Sequence, residues 1–137
     1  MFMLHIGAGG WAYFKVPGLD SLAAYSKAFD FVEVNSTFYK TPSMEMVRSW
    51  RQRVPDNFMF SVRCQKDLTH SYLLSPREES YELLNQSLRI CSELKAQILH
   101  IQTPPVFNPD EKQRCIQMLH GLKCMKEAGY FQRSRRL

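Results

Sequence analysis

The stretch FVEVNSTFYKTP, Phe31 to Pro42, sets Glu33 and Asn35 at alternate positions of a run that otherwise reads as an apolar strand. Burying a carboxylate is costly unless it is paired or hydrogen-bonded, so Glu33 needs a partner. A second run, FMFSVRCQKDLTH, supplies Arg63 and His70, and a third, ILHIQTPPVF, supplies Gln102. These residue types suit the handling of a small polar or anionic ligand. Arg63 serves as the electrostatic anchor and as the expected partner of Glu33. Glu33 and His70 are the candidates for acid or base work. Asn35, Tyr39 and Gln102 are donors that position a ligand, and Trp11 is a lid or stacking platform. The same residues without chemistry describe a non-catalytic binding module.

These side chains must be held by regular elements, and strand-like runs alternate with helical ones four times. The strands are expected at Leu4–Gly7, Phe31–Ser36, Phe58–Arg63 and Gln97–Gln102. Four stripes repeat at helical spacing: Leu19, Leu22, Tyr25 and Phe29; Met44, Val47, Trp50 and Val54; Tyr81, Leu84, Leu88 and Cys91; and Cys115, Met118, Leu122 and Met125. Ser75-Pro76-Arg77-Glu78 and Asn108-Pro109-Asp110-Glu111 both read as helix starts, with Ser75 and Asn108 as caps. Strands alternating with helices give a parallel α/β sheet, either doubly wound or a barrel. Period-two alternation favours the barrel. Val32 and Val34 share one face while Phe31, Glu33 and Asn35 share the other; Phe58, Phe60 and Val62 oppose Met59, Ser61 and Arg63; Leu99 and Ile101 oppose Ile98, His100 and Gln102; Leu4 and Ile6 oppose His5 and Gly7. A doubly wound sheet, covered by helices on both sides, has nearly continuous apolar strands instead. The expected fold is thus a TIM-type β/α barrel with its polar face inward and its site at the C-terminal strand ends.

Gly7-Ala8-Gly9-Gly10-Trp11-Ala12 matches a dinucleotide-binding pattern, and Glu33 lies near where such a fold keeps its ribose-binding acid. That mechanism needs a helix to begin at the glycines, whereas Val16-Pro17-Gly18 puts the helix start later. The Rossmann reading therefore ranks third, and the glycines are expected where backbone approaches a neighbour or ligand. No GxSxG, HExxH or P-loop motif is present, and the histidines lack metal-ligand spacing, so no metal and no cofactor are expected. Cys64, Cys91, Cys115 and Cys124 form no CxxC pair and read as buried thiols. The net charge of +5 owes much to Arg133, Arg135 and Arg136 in the last seven residues, FQRSRRL. A barely basic body makes nucleic acid an unfavoured partner. No apolar run approaches the ~20 residues that cross a bilayer, and the start MFMLHIGAGG lacks signal-peptide regions, so no membrane partner and a cytoplasmic location are expected.

The runs IGAGGWAY, Leu22/Tyr25/Phe29, VEVNSTFYKTP, FMFSVRCQKDLTH and ILHIQTPPVF, in that order, resemble the YecE-like family, domain of unknown function 72, over its N-terminal half. The resemblance implies a TIM-type barrel. It sets Glu33, Asn35, Thr37, Phe38, Tyr39, Pro42, Thr69, His70, Gln102, Pro104 and Pro105 at the family's motif positions, and it implies no reaction. Arg63 stands where the family usually has lysine, keeping the charge without lysine's capacity for Schiff-base or base chemistry. Family members are nearly twice as long, and the fifth strand expected near Tyr130 is replaced by the basic tail. A frameshifted, truncated or split gene produces that pattern. Residues 1–129 are accordingly expected as the N-terminal half of a barrel, four βα units, and 130–137 as a basic tail foreign to it. Four strands leave two open edges, so the chain is expected either to pair with a second half, most simply a copy of itself, or to be marginally stable and aggregation-prone as a monomer.

Overall fold

The computed structural model describes residues 2–127, with side chains through residue 121. Leu122, Cys124, Met125 and the tail arginines lie outside the described side chains. The elements in order are β1 (Gly7–Gly9), α1 (Ser21–Ala28), β2 (Phe31–Val34), α2 (Ser36–Tyr39), α3 (Met44–Gln52), β3 (Met59–Arg63), a π-helical turn (Asp67–Ser71), α4 (Glu78–Leu94), β4 (Ile98–His100) and α5 (Pro109–Glu127). The chain is an α/β fold whose four strands form one parallel sheet in the order β1-β2-β3-β4. Each strand pairs with the next in sequence. A dinucleotide fold instead reverses its strand order at the binding crevice.

One face of the sheet carries the core. Val32, Val34, Phe60 and Val62 are almost fully buried with Leu22 and Tyr25 of α1, Val47 and Trp50 of α3, and Ile90, Cys91 and Leu94 of α4. This is the greasy face read from period-two alternation, and the first three helical stripes all contribute to it. Leu84, Cys64, Leu68, Leu74 and Met118 build a second cluster under α5.

Caps set where the helices begin. The Asp20 carboxylate accepts from Ala23 N at 2.9 Å and opens α1, and Ser43 accepts from Met46 N at 3.2 Å and opens α3. Asn108 Oδ1 accepts from Asp110 N at 3.0 Å while Glu111 accepts in return from Asn108 N, a full capping box for α5. Ser75 does not cap α4. That helix starts three residues later, behind Arg77 and without a side-chain cap, and Ser75 Oγ is buried with no partner.

The first strand differs most from expectation. Pairing runs over Gly7–Gly9, against Phe31–Glu33, and not over Leu4–Gly7. Leu4 and Ile6 are 69% and 60% exposed, so they do not extend the buried face. Contacts around β1 explain the shift. The Tyr25 hydroxyl accepts from Ala8 N at 2.7 Å and donates to Phe31 O at 2.8 Å, joining β1 to β2 through a helix side chain. A Cβ on Gly7 would overlap the Phe31 carbonyl. The preceding residues are held from outside the sheet: Asp30 accepts from His5 Nδ1 at 2.9 Å and from Ile6 N at 3.0 Å. The glycines therefore serve close backbone approach. Gly10 follows with φ +95°, in the left-handed region, and α1 begins only at Ser21. No helix N-terminus stands at these glycines, and the dinucleotide reading fails on that ground.

Candidate functional site

Polar side chains gather on the other face of the sheet, towards the C-terminal strand ends. Register sets their neighbours: Glu33 lies opposite Ser61, and Arg63 lies opposite His100. Glu33 is therefore one step out of line with Arg63, and the expected pair between them does not form. Glu33 Oε2 instead accepts from His100 Nδ1 at 2.8 Å, reaching across β3 where the small Ser61 leaves room. Sequence reasoning placed His100 on this face without giving it a role. The signal was available in the alternation of ILHIQ, but not the register that selects its partner.

Arg63 is positioned by four contacts. Its guanidinium lies 3.9 Å from the centroid of the Phe38 ring, and Nη2 donates to Gln102 Oε1. The Thr37 hydroxyl sits 2.6 Å from the Arg63 carbonyl and 2.8 Å from Val34 O, tying the ends of β2 and β3 together beneath it. His100 flanks it on β4. Among the described residues no carboxylate pairs with Arg63, and its buried Nε has no partner. Asn35 Oδ1 and Ser61 Oγ are likewise buried and unpartnered. Three orphan polar atoms thus collect on and beside one face, each costing about 1–3 kcal/mol if nothing meets it.

Short local structures bring up the remaining residues. In α2 the Phe38 ring meets Tyr39 edge-on at 5.1 Å, with Tyr39 largely exposed at the rim. The π turn closes through Tyr72 N to Asp67 O at 2.8 Å and sets His70 edge-on to Phe38 at 5.4 Å. His70 Nδ1 shares a hydrogen bond of 2.7 Å with the buried Thr69 hydroxyl. Phe38, which sequence reasoning treated only as a motif position, is the common platform for Arg63, Tyr39 and His70. Asn35 sits beside Gly9, where a Cβ would collide with its amide nitrogen.

Trp11 is not gathered with them. Its ring packs edge-on against Trp50 of α3 at 5.3 Å and lies partly buried against the core. A cleft of about 540 Å³, lined by Leu4, Ile6, Lys27, Asp30, Pro55 and Phe58 among others, lies towards the opposite, N-terminal strand ends and contains none of the polar group. Among the described residues no cluster of three His, Cys, Asp or Glu could hold a metal ion, and no helix is long and apolar enough to cross a membrane.

The chain belongs to the family described as "Protein of unknown function DUF72", whose model matches residues 5–128. It is 31% identical over 113 residues to the UPF0759 protein YecE of Escherichia coli (strain K12), covering 80% of this chain and 40% of that protein. To the UPF0759 protein YunF of Bacillus subtilis (strain 168) it is 29% identical over 118 residues, covering 77% and 42% respectively. Among solved structures, a DUF72 family protein from Enterococcus faecalis V583 superposes with a TM-score of 0.64 at 19% identity, over 89% of this chain and 47% of that one. The chain spans less than half the length of the relatives it matches.

Proposed function

We propose that this chain is part of a TIM-type β/α barrel that binds a small anion at the C-terminal ends of its strands, with Arg63 as the anchor. Sequential parallel strands, greasy outside and polar inside, support the barrel reading. One observation carries the ligand reading: Arg63 is held over Phe38 and beside Gln102 with a buried, unpartnered Nε and no carboxylate among the described residues to neutralise it. A fixed guanidinium without a counter-charge is suited to a carboxylate or phosphate, which it grips through paired N–H donors. Gln102, Asn35 and Tyr39 are placed to orient the remainder of the ligand, and His70 borders the site.

Titration calorimetry with inorganic phosphate and with succinate tests this. At least one is expected to bind, and Arg63→Met is expected to weaken binding about tenfold to a hundredfold, the worth of a charge-assisted hydrogen bond. Arg63→Lys is expected to fall between, since it keeps the charge but loses the planar fork. Equal binding by wild type and Arg63→Met, or no binding of either anion, would remove Arg63 as the anchor.

A further inference from the structure

We infer that Glu33 and His100 form a proton-transfer dyad acting on the anion that Arg63 holds, a step beyond the anion-binding reading and resting on it. An ionised carboxylate can only accept hydrogen bonds, so the 2.8 Å contact from Glu33 Oε2 puts the hydrogen on His100 Nδ1. In the neutral ring the lone pair then sits on Nε2. Among the described residues Nε2 has no hydrogen-bond partner, and the His100 side chain is 43% exposed. When Nε2 takes up a proton, the adjoining carboxylate stabilises the imidazolium and holds the ring in one orientation.

Register supplies the rest. Arg63 and His100 are direct partners on adjacent strands, which lie about 4.8 Å apart, so anchor and base stand side by side. Around His100 stand Glu33 from β2, its hydrogen-bond partner, and Arg63 from β3, its register partner. The matching ligand is a small organic anion, a carboxylate or phosphate ester, with a hydroxyl or acidic C–H next to the anionic group. Seated on Arg63, it brings that hydrogen to Nε2. The O–H or C–H bond breaks, its electron pair stays on the ligand, and the proton bonds to Nε2. Return of the proton restores the neutral ring, and no oxidant or further reactant is consumed. His70 is wired differently, with a threonine hydroxyl on Nδ1 in place of a carboxylate.

Acylation of the full chain by diethyl pyrocarbonate at neutral pH, read by peptide mass spectrometry, tests the dyad, with His5, His70 and His120 as internal references. His100 is expected to react, and Glu33→Gln is expected to change its rate severalfold, since the carboxylate both orients Nε2 and stabilises the unreactive imidazolium. The three references should keep their rates. Inorganic phosphate and succinate, in separate arms, are expected to protect His100 in wild type, the stronger protector marking the ligand as phosphate ester or carboxylate. Arg63→Met is expected to abolish protection by either anion. Equal His100 rates in wild type and Glu33→Gln would overturn the dyad. Absence of protection with a normal Glu33 effect would overturn the anion site instead. Nitrogen-15 shifts of wild-type His100 provide a readout independent of any variant's folding: a hydrogen on Nε2 in the neutral ring would overturn the proposal.

Discussion

Arg63 shows how a charge is made available by its neighbours: Phe38 covers one face of the guanidinium, Gln102 occupies one amino group, and Thr37 fixes the backbone beneath. The cysteines show the reverse, since burial takes their chemistry away. Desolvation pushes the Cys91 thiol up to about 12, with Cys64 nearby adding to the rise, and burial also raises Cys64. Both stay protonated at neutral pH and are poor nucleophiles. Iodoacetamide at pH 8 is expected to leave Cys64 and Cys91 unmodified in the folded chain and to alkylate both in denaturant, as read by peptide mass. Appreciable native alkylation of Cys91 would contradict its burial. Stability has a matching pH dependence. In the unfolded chain these thiols ionise near the ordinary value of 9.0, whereas folded Cys91 does not until about 12, so its contribution is intact below 9 and is lost as pH rises through that window.

Among the elements, β1 depends on the absence of side chains. It is three residues long, and it holds its place through Tyr25 and through a backbone approach at Gly7 that no Cβ permits. Gly7→Ala is therefore expected to cost about 1–3 kcal/mol, because the atom it meets is a main-chain carbonyl that cannot turn aside. Urea unfolding measures this, and a loss below about 0.5 kcal/mol, the level of an ordinary surface change, would mean that β1 shifts freely. The apolar residues before β1 gave a strand signal that pairing did not follow. Hydrophobic pattern selects a face, but it does not fix how far along the chain the hydrogen bonds begin.

For the whole molecule, the described residues leave β1 and β4 each with one unpaired edge, and the polar face open. Ile98 at the β4 edge and Leu4 and Ile6 beside β1 add exposed apolar surface at both sides. Such edges recruit further strands. A second copy of the chain is one source of such strands. The isolated 137-residue chain is expected to sediment as a dimer or larger species, or else to unfold readily as a monomer. A monodisperse monomer in which the amides of β1 and β4 resist hydrogen exchange would refute this expectation.

The sequence determined the parts that depend on local periodicity. Val32/Val34 against Glu33/Asn35, and Phe60/Val62 against Ser61/Arg63, declared which face was buried and which was polar, and the stripes of α1, α3 and α4 declared their core sides. Those patterns repeat within a few residues and need no knowledge of the neighbours. The family was legible for the same reason, from motifs that survive in order along the chain. Only the tertiary structure decided the partnerships, because they span 39 and 67 residues of chain. Alternation puts Glu33, Arg63, His100 and Gln102 on one face, but the strand register decides that Glu33 meets His100 and that Arg63 meets Gln102. Register here is set by the glycine pairing of β1, the Tyr25 bridge and the Thr37 tie at the strand ends, contacts made between elements distant in sequence.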